Sequence, residues 1–207
     1  MAERISHPSR DDSAPPRSGV TGVVLAGGRG MRFGGRDKGL LEIDGRSLAE
    51  RQLLLLRGQV DRCLVSANRN LDRYRSLGAE VVTDARPGFP GPLAGIAAAL
   101  RAAHTPWVVC LPCDTLGLPR DGVERLLRAA EEENASAAYA ADPDGPQYAL
   151  CALRSTLADA LDAALDAEQR AVRRFLSAQS AIRVEFPDCR FSNLNTPEAM
   201  PCSIRAT

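Results

Sequence analysis

Apolar, β-branched runs alternate along the chain with segments whose apolar residues recur every three or four positions. "VTGVVLA" (20–26) opens the series as a short continuous run, the pattern of a strand buried on both faces. Comparable runs stand at "RCLVSA" (62–67), "EVVTD" (80–84), "PWVVCLP" (106–112) and "ASAAYAA" (135–141). Between them the spacing predicts helices at "SLAERQLLLLRG" (47–58), with Ser47 as cap and Gly58 as stop, "LDRYRSLG" (71–78), "PLAGIAAALRAAH" (92–104) and "PRDGVERLLRAAEEEN" (119–134), with Asp121 and Glu124 near the start of the last. Further on, "YALCAL" (148–153) predicts a strand, "STLADALDAALDA" (155–167) and "QRAVRRFLSAQ" (169–179) predict helices, and "AIRVEFP" (181–187) predicts a late strand. Strand and helix in alternation imply an α/β fold, a mostly parallel sheet with helices on both faces. In open sheets of this kind ligands sit beyond the carboxyl ends of the strands, so chemistry is expected in the loops after Ala26, Ala67, Asp84 and Leu111.

Length and composition narrow this picture. The 207 residues suit a polar, disordered leader over 1–18, containing Pro8, Pro15 and Pro16, and a single domain over 19–207. Twenty-six basic residues balance twenty-six acidic ones, which argues against a nucleic-acid partner whose affinity comes from phosphate neutralisation. Any anion site must then be local. No apolar run of about 18 residues occurs and the N-terminus lacks the apolar core of a signal peptide, so a cytoplasmic protein without membrane contact is expected. The six cysteines are then free thiols. Cys110 and Cys113 have C-x-x-C spacing, but Cys110 falls on a strand end, and His7 and His104 offer no matching zinc spacing. They read as core thiols.

One loop concentrates the candidate chemistry. "LAGGRGMRFGGRDKGLLEIDG" (25–45) packs seven glycines with Arg29, Arg32, Arg36 and Lys38 directly after the first strand. It fails the Rossmann pattern, since Gly28 and Gly30 are followed by Phe33 where a third glycine is needed, and it fails the Walker pattern, since Lys38 lies between Asp37 and Gly39. What remains is a glycine-rich turn whose backbone N–H groups can approach an anion, with cations to neutralise it. Asp114 in "PCDT" ends a strand, where a carboxylate suits a hard divalent cation or caps a turn. Asp84 sits likewise before "ARPGFPGP".

In order and spacing, "LAGG" with "RFGGRDKGLL", Asp84 ending the third strand, "GPLAGI" opening a helix, "PCDT" ending the fourth strand and "NLNTPE" near the C-terminus resemble the molybdenum cofactor guanylyltransferase family over about residues 20–198. The resemblance implies a Rossmann-like three-layer sandwich of the nucleotide-diphospho-sugar-transferase type, with a nucleotide-binding half over about 19–115 and an acceptor-binding half over about 116–200. It implies transfer of GMP from GTP to the terminal phosphate of Mo-molybdopterin, with Mg²⁺ required and pyrophosphate released. Carried over by motif, Leu25, Ala26 and Gly27 contact GTP largely through backbone, Lys38 meets the phosphates, Asp84 lies in the nucleotide site, and Asp114 contacts GTP and holds Mg²⁺. Lys38 and Asp114 are the expected catalytic residues. Transient contact with molybdenum cofactor biosynthesis proteins or molybdoenzyme apoproteins follows from the same likeness.

The chain departs from the family pattern in places. Ser66 stands where the family commonly has Asn, with Asn68 two residues on; Arg170 is retained without its preceding glycine; "GPQYAL" alone represents the proline and strand expected in the acceptor half. Asn193 and Asn195 read equally as substrate contacts or as part of a helix cap formed by Asn195, Thr196, Pro197 and Glu198. The competing functions are a cytidylyltransferase on the same cofactor, a sugar-phosphate nucleotidyltransferase, and a non-catalytic cofactor carrier. The resemblance implies guanine through Gly27, where the rival families tend to have Ala, and through Cys113, Asp114 and Thr115, where they have a different strand-end motif; the retained Lys38 and Asp114 speak for an enzyme.

Overall fold

The computed structural model describes residues 17–27, 35–84, 86 and 91–193. β1 (Arg17–Leu25) is its spine, paired in parallel with β4 (Val60–Ser66) on one side and β6 (Trp107–Pro112) on the other. Val20 and Val24 point into one apolar layer, and Val23 and Leu25 into the opposite one. Burial on both faces is why the run is continuous rather than alternating. β5 (Glu80–Val82) completes one edge. Beyond β6 come β9 (Gly145–Arg154), β8 (Ala137–Asp142) and β10 (Ile182–Glu185), giving the order β10-β8-β9-β6-β1-β4-β5. β9 runs antiparallel to both of its neighbours, and the other described pairings in this sheet are parallel.

The helices divide between the two faces. α1 (Leu48–Arg57), α2 (Leu71–Arg75) and α4 (Gly122–Glu132) pack with Val24, Val65 and Val109. α3 (Pro92–Ala102), α5 (Ala158–Asp166) and α6 (Val172–Ala178) pack with Val23, Leu64 and Val108. α1 begins and ends as its sequence predicts: Ser47 Oγ accepts the Glu50 N–H at 3.2 Å, and Gly58 is the C-cap. Its seat against the sheet depends on Gly22, where a Cβ would lie 3.0 Å from Val60 and 3.2 Å from Leu56. Asp121 occupies the N-cap of α4 without a side-chain capping bond.

Four short strands depart from the pattern reading. β2 (Glu42–Ile43) and β3 (Arg46–Ser47) form a hairpin turned by Asp44 and Gly45, whose φ angles of 50° and 74° suit an Asp-Gly turn. β7 (Thr115–Leu116) pairs antiparallel with β11 (Ser192–Asn193). Two-residue strands carry no periodicity to read. β1 also starts at Arg17, two residues inside the segment read as a leader; residues 1–16 lie outside the described residues.

The register builds the functional edge. Leu25 sits opposite both Ser66 and Pro112, so three neighbouring strands end level. The ladder runs one residue further, with Ala26 N–H to Ser66 O at 2.9 Å and Cys113 N–H to Leu25 O at 3.0 Å. The chain leaves β1 toward one side while β6 flanks it on the other, which opens a crevice at the carboxyl edge.

Candidate active site

A cavity of about 420 Å³ opens at that edge, lined by Leu25, Ala26, Gly27, Lys38, Asp114 and, across from them, Tyr148. Five of the expected site residues therefore meet in one place. Lys38 Nζ donates to Asp114 Oδ2 at 2.5 Å, and each side chain keeps 20% of its surface exposed. Opposite charges held at the mouth of a cavity leave both groups within reach of solvent and of an incoming phosphate. Leu25 and Ala26 are buried and Gly27 is exposed; the nearest atom to a Cβ built on Gly27 is 3.9 Å away.

Each charged group is placed by its element. Asp114 stands in the two-residue turn between β6 and β7, and at the first residue of β7 the buried Gln52 of α1 donates its Nε2 to Thr115 O at 2.7 Å. Lys38 opens a single 3-10 turn (Lys38–Leu40), whose N-cap Asp37 accepts the Gly39 N–H at 3.2 Å. Asp37 is itself buried, taking the Tyr74 hydroxyl at 2.6 Å and the Asn70 amide at 2.9 Å, with Arg69 Nε at 3.6 Å. No motif of the sequence singles out Asp37, Arg69, Asn70 or Tyr74. The signal within reach was an acid beside the key lysine in "RDKGL".

Asp84 is placed elsewhere. It lines a neighbouring groove of about 810 Å³ between α3 and α5, and Asn68 holds it through Nδ2 to Asp84 Oδ2 at 2.9 Å and Asp84 N–H to Asn68 Oδ1 at 3.0 Å. Asn68 thus supports Asp84 rather than lining the cavity with Lys38. Ser66 contributes its carbonyl to the β1 ladder. Arg36 is exposed, its carbonyl accepting from Arg69; Arg29, Arg32 and Asn195 lie outside the described residues. The backbone of Asn193 pairs with Thr115, next to Asp114.

The acceptor side of the cavity comes from an irregularity. Tyr139 faces Cys151 and Ala140 faces Gln147, so one step along β8 spans four along β9. The surplus residues Tyr148, Ala149 and Leu150 form the far wall, with the Tyr148 ring 5.0 Å from that of Tyr139. The C-x-x-C pair divides between layers: Cys110 packs with the α3 face and Cys113 with the α4 face, both as free thiols.

A MobA-like NTP transferase domain matches residues 22–183. The chain belongs to this family. The MobA-like chain is 47% identical over 194 residues to the molybdenum cofactor guanylyltransferase of Burkholderia ambifaria, covering 89% of this chain and 95% of that protein. Its fold matches the crystal structure of molybdopterin-guanine dinucleotide biosynthesis protein A from Archaeoglobus fulgidus with a TM-score of 0.68 at 24% identity, over 86% of this chain and 94% of the other. The same fold occurs in Mycobacterium tuberculosis Rv0371c in complex with manganese, with a TM-score of 0.65 at 18% identity over 88% and 95% of the two chains. The expected α/β sandwich and the family resemblance are both borne out.

Proposed function

We propose that this protein transfers GMP from GTP to the terminal phosphate of Mo-molybdopterin, forming the guanine dinucleotide cofactor and releasing pyrophosphate. The observation that carries the reading is the Lys38–Asp114 pair lining, with the ends of β1 and β6, a cavity whose second wall comes from β9. Two walls suit two substrates, and the likeness to named guanylyltransferases over most of the chain supports GTP and molybdopterin as those two. Leu25, Ala26, Gly27, Lys38 and Asp114 are the GTP contacts in this reading, with Asp84 bordering the nucleotide site.

The chemistry asks for no protein nucleophile. A phosphate oxygen of the acceptor attacks the α-phosphorus in line; the new P–O bond forms as the bond to the bridging oxygen breaks, and its electron pair leaves with pyrophosphate. Lys38 orients the phosphates and neutralises charge gathering on the leaving group, and the glycine-rich turn brings backbone N–H groups close. The donor set fits a divalent cation. Asp114 presents a hard carboxylate oxygen at the cavity and would hold Mg²⁺ there together with oxygens of the bound phosphates. Bound there, Mg²⁺ supplies charge neutralisation at the phosphates.

No helix among the described residues is long and apolar enough to cross a membrane, and the five described cysteines are free, which supports a cytoplasmic setting. Transient hand-over to cofactor biosynthesis proteins or apoenzymes belongs to the same reading. The test is pyrophosphate release from purified protein given Mo-molybdopterin, Mg²⁺ and GTP, CTP or ATP. Release with GTP alone, abolished by EDTA and lowered about 100-fold or more in Lys38→Met and Asp114→Asn, is expected. Release with CTP alone, or tight GTP binding without release, overturns it.

A further inference from the structure

We infer that Asp37, gripped by Arg69, Asn70 and Tyr74, is a positioning residue that sets where the Lys38 ammonium stands in the cavity. The inference rests on the reading of Lys38 as a phosphate contact. Four observations converge on it. Asn70 holds the N-cap of α2 at a left-handed φ of 52° yet makes no capping bond; its amide goes to Asp37 Oδ2 instead. An Asn at that position ordinarily stabilises its own helix, so the contact to Asp37 displaces a local gain. Tyr74 is wholly buried and aims its hydroxyl at Asp37 Oδ1. Arg69 reaches the same loop, donating Nη1 to Gly35 O at 2.7 Å and Nη2 to Arg36 O at 2.9 Å.

The fourth observation is steric. A Cβ on Gly39 would lie 2.4 Å from the Tyr74 hydroxyl oxygen and 3.1 Å from the Ala26 Cβ. Only glycine lets the 3-10 turn press against both the tyrosine and the end of β1. Asp37 caps that turn, Lys38 is its first residue, and the lysine reaches Asp114 directly. A long, flexible ammonium side chain loses rotamer freedom when it must meet a phosphate, and a fixed backbone origin reduces that loss. Asn70 and Tyr74 grip the carboxylate through charge-assisted hydrogen bonds, which are the strong kind, and Arg69 adds its charge at 3.6 Å while bonding the main chain of the same loop.

The experiment is a double-mutant cycle on Mg-GTP affinity, read by calorimetry in the absence of acceptor, with steady-state kcat and KM alongside. Tyr74→Phe, Asp37→Asn and Asn70→Ala are each made in the native background and with Lys38→Met, and circular dichroism checks the fold. Tyr74→Phe and Asp37→Asn are expected to weaken GTP binding about tenfold while Lys38 is present, the loss of one charge-assisted bond, and about twofold or less once it is gone. Asn70→Ala serves in place of Asp37→Asn should that variant not fold. Equal losses in both backgrounds, or native affinity in Tyr74→Phe, overturn the inference and leave an ordinary structural contact. Native GTP affinity and turnover in Lys38→Met overturns the phosphate-contact reading instead.

Discussion

Tyr74 shows how much one residue can carry. Burial first, then the hydrogen bond and the negative charge of Asp37, push its hydroxyl well above the ordinary value of 10.0. The folded chain keeps a proton that the unfolded chain releases. A raised value in the fold means that the stability is complete below about pH 10 and declines as pH rises above it, by up to about 1.4 kcal/mol per pH unit. Urea midpoints measured from pH 9 to 11.5 should therefore fall more steeply for the native protein than for Tyr74→Phe; parallel curves would refute the assignment. Lys38 and Asp114 are legible in the sequence because one stands in the glycine-rich loop after the first strand and the other in the "PCDT" turn that closes a later one. Tyr74 is not. The pattern "LDRYRSLG" places it on a helix but cannot say that the helix face meets a carboxylate 37 positions earlier.

Among the elements, the β8–β9 hairpin supplies the far wall of the cavity and is tied to the segment after β10. The buried Asp142 accepts the Asp144 and Gly145 N–H groups on Oδ1 at 3.0 and 3.1 Å, and the Phe191 N–H on Oδ2 at 2.6 Å. One carboxylate turns the hairpin and pins the chain that supplies β11 beside Asp114. Gly117 lets that chain approach: its φ is +100°, and a Cβ there would lie 2.4 Å from Arg190 O. Asp142→Ala strips an acceptor from three amides and should cost about 2–4 kcal/mol by urea denaturation. Asp144→Ala, which loses only an exposed pair with Arg190, should cost less than about 1 kcal/mol. Equal costs would show that Asp142 is not the anchor. The two strands were each legible from apolar runs, whereas their antiparallel pairing and the surplus residues of β9 depend on which register buries Cys151 and Leu153.

For the whole molecule, the two apolar layers make a test of how the sheet divides the thiols. Cys110, Cys113 and Cys151 are buried; burial and then the Asp114 charge push the Cys113 thiol up, and a hydrogen bond with Cys151, then burial, do the same for Cys110. Cys63 and Cys189 are half-exposed. Alkylation of the native protein near pH 8, read by mass spectrometry, should reach Cys189, should reach Cys63 more slowly because burial pushes its thiol up, and should spare Cys110, Cys113 and Cys151 until the chain unfolds. Rapid labelling of Cys110 or Cys113 in the native state would contradict the layer assignment. The sequence by itself determined the alternation of buried strands and amphipathic helices, the cap of α1, and the presence of cations in the glycine-rich loop after β1 and of a carboxylate just past β6, because local spacing and turn chemistry specify these. Tertiary structure alone decided that β9 enters the sheet reversed, that Asp84 turns to Asn68 in the α3–α5 groove, and that Asp37 is held by residues of the β4–α2 connection and α2. Those outcomes follow from strand register and from bonds between residues far apart in the chain, which become definite only when the sheet has assembled.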